Sequence, residues 1–191
     1  MPQLEAPSLI NGCEVTSLAM LLNYYGIEVS KNTLAEQIAT VPVEYADGFK
    51  GDPNEGFVGD MNDEFWAMGV FVSPIADLAN QYAPIGYTVV ASEKTPLDDL
   101  LEQVASGQPV WTLVTIDFIP PENSDYKLWE TRNGELYLTT NIHAAVITGF
   151  NDTYIYVNDP LETKDRPIAR QQFEQTFNEM GNQSLYFTPI S

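Results

Sequence analysis

Hydrophobic positions along the chain follow two spacings, helical in the first half and strand-like in the second. In the segment CEVTSLAMLLNYY, Val15, Leu18, Ala19, Leu22 and Tyr25 fall on one stripe, which predicts a helix from about Cys13 to Tyr25. Asn11 is its expected N-cap and Gly26 its stop. A second helix follows Ser30 and carries Leu34 and Ile38. A third begins at Ser73–Pro74, and a fourth at Thr95–Pro96, running to Gly107. The last two each show a capping residue followed by proline, expected at the first helical position. PVWTLVTI (Pro109 to Ile116) is rich in β-branched and aromatic residues and reads as a buried strand. HAAVITGF and TYIYVND flank the turn signal Asn151–Asp152 and read as a hairpin. A helix near Arg170 to Met180 precedes a closing strand, SLYFTPI. This segregation favours an α+β fold with an antiparallel sheet over a doubly wound one. No repeat, low-complexity tract or linker divides the chain, so residues 1–191 read as a single domain.

Residues 47–72 break the pattern, with glycines and acids crowded among Phe57, Phe65 and Trp66. A long irregular loop within a compact domain is usually functional or disordered, and the aromatics favour function. Asp47, Asp52, Glu55, Asp60, Asp63 and Glu64 stand there against Lys50. The stretch is expected either to border a cleft, with Phe57 or Trp66 packing beneath it, or to be a solvated surface loop. Its D-x-N-x-G fragment lacks the aspartates and terminal glutamate of a calcium loop.

Composition narrows the function class. A hydrophobic fraction of 44% is that of a globular protein. The formal net charge of −19 repels nucleic-acid phosphates and anionic membrane surfaces alike. Such acidity serves solubility or, more sharply, a preference for basic substrates. No apolar run approaches the ~20 residues of a membrane span, and the N-terminal residues lack the basic and apolar segments of a signal peptide.

The chain has one cysteine and one histidine. A single cysteine rules out an intrachain disulfide and a thiolate zinc cage, and one histidine does not supply a His-rich metal site. Cys13 falls at a predicted helix start, where the helix dipole lowers a thiol's pKa. The bland alternative is a small apolar filler. His143 heads a β-branched strand and Asp159 closes the next. The order nucleophile, base, orienting carboxylate is that of papain-like enzymes. The hairpin sets a condition on this reading. An odd-membered loop centred on Asn151 places His143 opposite Asp159, whereas a two-residue loop sends them to opposite faces. A bulge or a three-residue turn is therefore required. The Cys13 N–H is a candidate oxyanion donor and Gln3 a second. Spacing alone, however, makes Gln3 a solvated terminal residue.

The segment QLEAPSLINGCEVTSLAMLLNYYGI resembles the nucleophile segment of cysteine peptidase family 39-like domains, relatives of the double-glycine leader peptidases of bacteriocin exporters. The resemblance continues through GDPNEGFVGD, the W-x-T-x-x-G stretch at Trp129 to Gly134, and HAAVITGF…YIYVNDPL. It implies a papain-like fold, a helical half carrying Cys13 packed on an antiparallel sheet carrying His143 and Asp159. It also implies a cysteine peptidase with those three residues as its triad and Gln3 completing the oxyanion hole. Peptide or protein substrates are implied; no cofactor and no metal are. A cell-wall amidase or endopeptidase, or an acyl transferase, would share the triad, and a non-catalytic binding module would share the fold. The exporter-coupled role of those relatives is not expected to carry over, since the sequence shows no transporter segment. Family members tend to have a strand ahead of the glutamine, so the expectation is a secreted, extracytoplasmic bacterial protein with its export signal trimmed. Oligomeric state and the individual substrate stay open.

Overall fold

The computed structural model describes residues 1–62 and 66–190. Its helices are α1 (Cys13–Tyr24), α2 (Lys31–Gln37), α3 (Val72–Gln81), α4 (Leu97–Ala105) and α5 (Arg170–Glu179). The strands are β1 (Thr40–Val41), β2 (Phe57–Gly59), β3 (Ala67–Gly69), β4 (Tyr87–Ser92), β5 (Val110–Thr115), β6 (Tyr126–Thr131), β7 (Gly134–Thr139), β8 (Ile142–Phe150), β9 (Tyr154–Asn158), β10 (Arg166–Ala169) and β11 (Ser184–Pro189).

The main sheet runs β10-β9-β8-β5-β11-β4, with every neighbour antiparallel. Its pleat divides the core in two. Trp111, Leu113, Ala144, Val146, Leu185 and Phe187 pack with residues of α1, α2 and α3. Val110, Val114, Ala145, Ile147, Ile155 and Val157 pack with Leu97, Leu100 and Leu101 of α4 and with Phe173 and Phe177 of α5. β5 and β8 are apolar on both faces because helices cover both, and β5 is buried along its whole length. α1 touches β5, β8, α2 and α3. Glu14, Thr16 and Ser17 are accordingly buried along with its apolar stripe.

Element ends depart from the sequence expectation in instructive ways. The N-cap of α1 is Gly12, not Asn11, and no side chain caps it; the Asn11 amide donates instead to Asp60 O. Gly26 stops the helix as expected, at a φ of +78° that glycine adopts without strain. Ser30 caps α2 by accepting from the Thr33 N–H at 3.0 Å. In α3 the cap is Phe71, so Ser73–Pro74 lies inside the first turn. In α4 Pro96 holds the cap position itself rather than the first helical one. Pro at any of these places forfeits only an N–H that has no intrahelical acceptor.

Two short strands interrupt the otherwise irregular acidic stretch. These are β2 and β3, with β1 paired parallel to β2 and β3 antiparallel. Asp52 Oδ1 takes the Asn54 N–H and amide, and Asp52 Oδ2 takes the Asn133 amide. Asp47 pairs with Arg132. The acids Asp47, Asp52 and Glu55 thus serve the β6–β7 hairpin, which also receives Trp66 against Trp129, ring centroids 5.9 Å apart. Phe57 is fully buried. Asp63, Glu64 and Phe65 lie outside the described residues.

Trp111 joins the sheet to the helix that carries the cysteine: its ring is fully buried, and Nε1 donates to Glu14 O at 3.1 Å. Trp111→Ala should destabilise the protein by about 3–5 kcal/mol, the usual range for truncating a buried aromatic. Denaturant titration measures it.

Candidate active site

Cys13 is the first residue of α1, where the N–H has no intrahelical acceptor. The turn before it is tight: a Cβ on Gly12 would sit 2.6 Å from Leu9 Cβ. That turn ends a strap formed by the N-terminal residues. Gln3 N–H donates to Pro160 O at 2.8 Å and Leu9 N–H to Gln3 O at 3.1 Å. Lys31 Nζ, at the start of α2, donates to Glu5 O and Pro7 O at 2.8 and 2.7 Å. Gln3 is consequently 2% exposed, which overturns its reading as a solvated terminal residue. Its Nε2 donates to Ile10 O at 2.8 Å, leaving the second hydrogen of that amide for another acceptor.

The hairpin meets the condition set by the sequence through a bulge. Asn151 N–H bonds Tyr154 O, and Phe150 pairs with Ile155. That register, carried on unchanged, would send Asp159 to the face opposite His143. The bulge between Ile147 and Gly149 leaves Thr148 without a ladder partner and brings Val146 opposite Asn158. His143 and Asp159 then share a face as diagonal neighbours, not as the directly opposed pair expected. His143 Nε2 and Asp159 Oδ1 are 2.9 Å apart, both side chains 1% exposed.

Asp159 is held by more than the histidine. Leu161 N–H donates to Oδ1 at 2.9 Å and Arg166 Nη1 to Oδ2 at 2.7 Å. Burial alone would raise its pKa; the bonds from His143, the Leu161 amide and Arg166 outweigh burial and hold the carboxyl below the usual range. Ionised Asp159 fixes Nε2 as the donor nitrogen, so Nδ1 carries the lone pair. Phe118 stands edge-on to the imidazole, ring centroids 6.1 Å apart.

Cys13, His143 and Gln3 line one cleft of about 110 Å³, with Glu14 beside them and Ile10, Ile116 and Leu161 at its rim. All four candidate residues are therefore assembled there, Asp159 directly behind His143. The thiol, however, is not the low-pKa group expected at a helix start. Burial pushes it well above its ordinary value, and the Glu14 carboxylate adds to the rise. The Ala144 and Cys13 backbone groups act the other way and do not compensate. Cys13 Sγ donates to Glu14 Oε2 at 3.2 Å.

Glu14 and Arg166 were invisible to sequence reasoning. An acid in a helix's first turn normally signals a solvated, dipole-compensating residue, and only its place inside the buried CEVTS run hinted otherwise. Arg166 reaches Asp159 across β10 and β9, which no local spacing encodes. Among the described residues, no three histidine, cysteine or carboxylate side chains cluster as metal ligands, and no helix is long and apolar enough to cross a membrane.

Comparison with known proteins adds to this geometry. The chain is 45% identical over 183 residues to the uncharacterized protein YvpB of Bacillus subtilis (strain 168), covering 96% of the chain and 71% of that protein. A crystal structure of a putative C39-like peptidase from Bacillus anthracis superposes with a TM-score of 0.92 at 36% identity, covering 100% of this chain and 94% of that one. The peptidase domain of Streptococcus ComA, a bifunctional ABC transporter, shares the fold at a TM-score of 0.54 and 13% identity, covering 100% and 97% of the two chains. A double glycine motif protease from an AMS/PCAT transporter, solved with its leader peptide, does so at 0.51 and 18%, covering 100% and 90%. The fold is thus the papain-like one expected. Residues 1–185 match the Peptidase_C39 like family, and the chain belongs to it.

Proposed function

We propose that the protein is a cysteine peptidase in which Cys13 is the nucleophile, His143 the general base and then acid, and Asp159 the group that orients His143. The observation that carries this reading is the His143–Asp159 bond, which presents Nδ1 as a base in the cleft that holds the chain's one thiol. In the reaction, His143 Nδ1 takes the Cys13 proton and the thiolate adds to the carbonyl carbon of a peptide bond. The oxyanion meets the Cys13 N–H and the second Nε2 hydrogen of Gln3. His143 returns its proton to the leaving amine, and water then hydrolyses the thioester.

The substrate class proposed is a peptide entering in extended form. The rim of Ile10, Ile116 and Leu161 is apolar. Among the described residues, the carboxylate that lines the cleft is Glu14, which already accepts from Cys13 and Val70. Among the described residues a preference for basic side chains therefore has no support at the cleft, and we assign the acidity of the chain to solubility.

Cys13→Ser should abolish hydrolysis of a peptide library with the fold intact by circular dichroism, because a hydroxyl is a far poorer nucleophile here. His143→Ala should cost about as much, and the double variant little more, since the pair acts as one unit. Substantial turnover by Cys13→Ser sinks the peptidase reading. Asp159→Asn should lose less, on the order of 2–5 kcal/mol in barrier; kinetic silence would place another group behind His143. Gln3→Ala should lower kcat by ~10²–10³ with KM little changed. A change in KM alone would make Gln3 a binding residue instead.

A further inference from the structure

Glu14 is the group the mechanism leaves unused, and its surroundings are built for it. The side chain is 1% exposed. Oε2 accepts the Cys13 thiol at 3.2 Å, and Oε1 accepts the Val70 N–H at 3.1 Å. Gly69, at the end of β3, makes room: a Cβ there would stand 2.5 Å from Oε1, and its φ of +106° is open to glycine. The carboxylate is thus clamped from the side away from the sulfur. Burying an acid costs several kcal/mol unless it is bonded, and a filler at this position would be apolar.

The second observation concerns the base. Among the described residues, His143 Nδ1 is buried with no hydrogen-bond partner. The thiol proton is therefore directed at Glu14 and not at the imidazole nitrogen that must receive it. The groups facing Glu14 are Cys13 on its own helix, the Val70 amide after β3, and His143 on β8; Asp159 and Arg166 stand behind His143.

We propose that Glu14 is a positioning residue that holds Cys13 in a resting thiol state turned away from His143. This rests on the peptidase reading for its purpose, but its effect on the thiol is independent of hydrolysis. Activation breaks the Cys13 S–H bond and forms N–H at His143 Nδ1, giving a thiolate and an imidazolium while Glu14 keeps its charge. An ionised Glu14 opposes that step at the sulfur. A neutral side chain in its place keeps the clamp and donates to the thiolate instead.

The test is the rate of alkylation by iodoacetamide from about pH 5 to about pH 11, a range that extends well above an ordinary thiol titration near ~8.5. Wild type should react slowly near pH 6 and rise only on the alkaline side. Glu14→Gln keeps the shape, an oxygen for Val70 and an N–H for sulfur. Its alkylation midpoint should fall by about one pH unit or more, about a tenfold gain in rate at neutral pH. An unshifted midpoint in folded Glu14→Gln overturns the proposal. Rapid alkylation of the wild type near pH 6 overturns it as well, and that measurement needs no variant. Alkylation requires no turnover, so the outcomes separate. A silent Glu14 in an enzyme that Cys13→Ser inactivates leaves the peptidase reading standing, and a shifted midpoint in a protein that cleaves nothing leaves this one standing.

Discussion

The placement of α1 on the sheet governs everything at the cleft, and two hydrogen bonds from side chain to backbone set it. Ser17 Oγ donates to Ala144 O at 3.0 Å, fixing the helix against β8 one residue from His143. Trp111 Nε1 donates to Glu14 O, fixing the same turn against β5. Apolar packing alone is non-directional and tolerates small slides of a helix along a sheet, whereas a hydroxyl and an indole with single acceptors do not. Cys13 and Glu14 begin the helix so anchored, and His143 begins the strand. The relative position of thiol, carboxylate and imidazole therefore follows from contacts made one turn deeper in the core.

The two buried carboxylates show how neighbours and burial together set charge. Asp159 receives a backbone N–H, a guanidinium and an imidazole, and is kept ionised. Glu14 receives a backbone N–H and a thiol, and burial prevails. Pairs of acids whose environments push their pKa values apart commonly divide roles within one site. In the proposed mechanism Asp159 orients His143, while Glu14 accepts the thiol proton that His143 is to receive.

Much of this was legible in the sequence, because the relevant signals are local. The stripe from Val15 to Leu22 located α1, Ser30 located α2, and Asn151 located the turn, where its side chain takes the Thr153 and Tyr154 N–H groups. The need for a bulge followed from pleat parity, yet its place at Thr148 did not. β4 and β10 are edge strands whose pairing is decided by β11 and β9, residues far along the chain. The strands β2 and β3 are so short, and so rich in glycine and acid nearby, that no period of two emerges. Gln3 could be placed only by its resemblance, since its burial depends on Pro160 and on the Lys31 clamp of its strap.

That dependence has a consequence for biosynthesis. Gln3 and Cys13 leave the ribosome well before residues 143–160, but the Gln3 N–H finds its acceptor at Pro160, and the His143 ring finds its carboxylate at Asp159. A nascent chain carries its cysteine early, and the His143–Asp159 pair does not exist until both strands of the β8–β9 hairpin have been made. Closure of such distant contacts is slow compared with helix formation, so the strap docks among the last steps. A fragment ending before Asp159 thus holds a thiol without the carboxylate behind His143 and without the Gln3 anchor at Pro160, and on the proposed mechanism it would be inert.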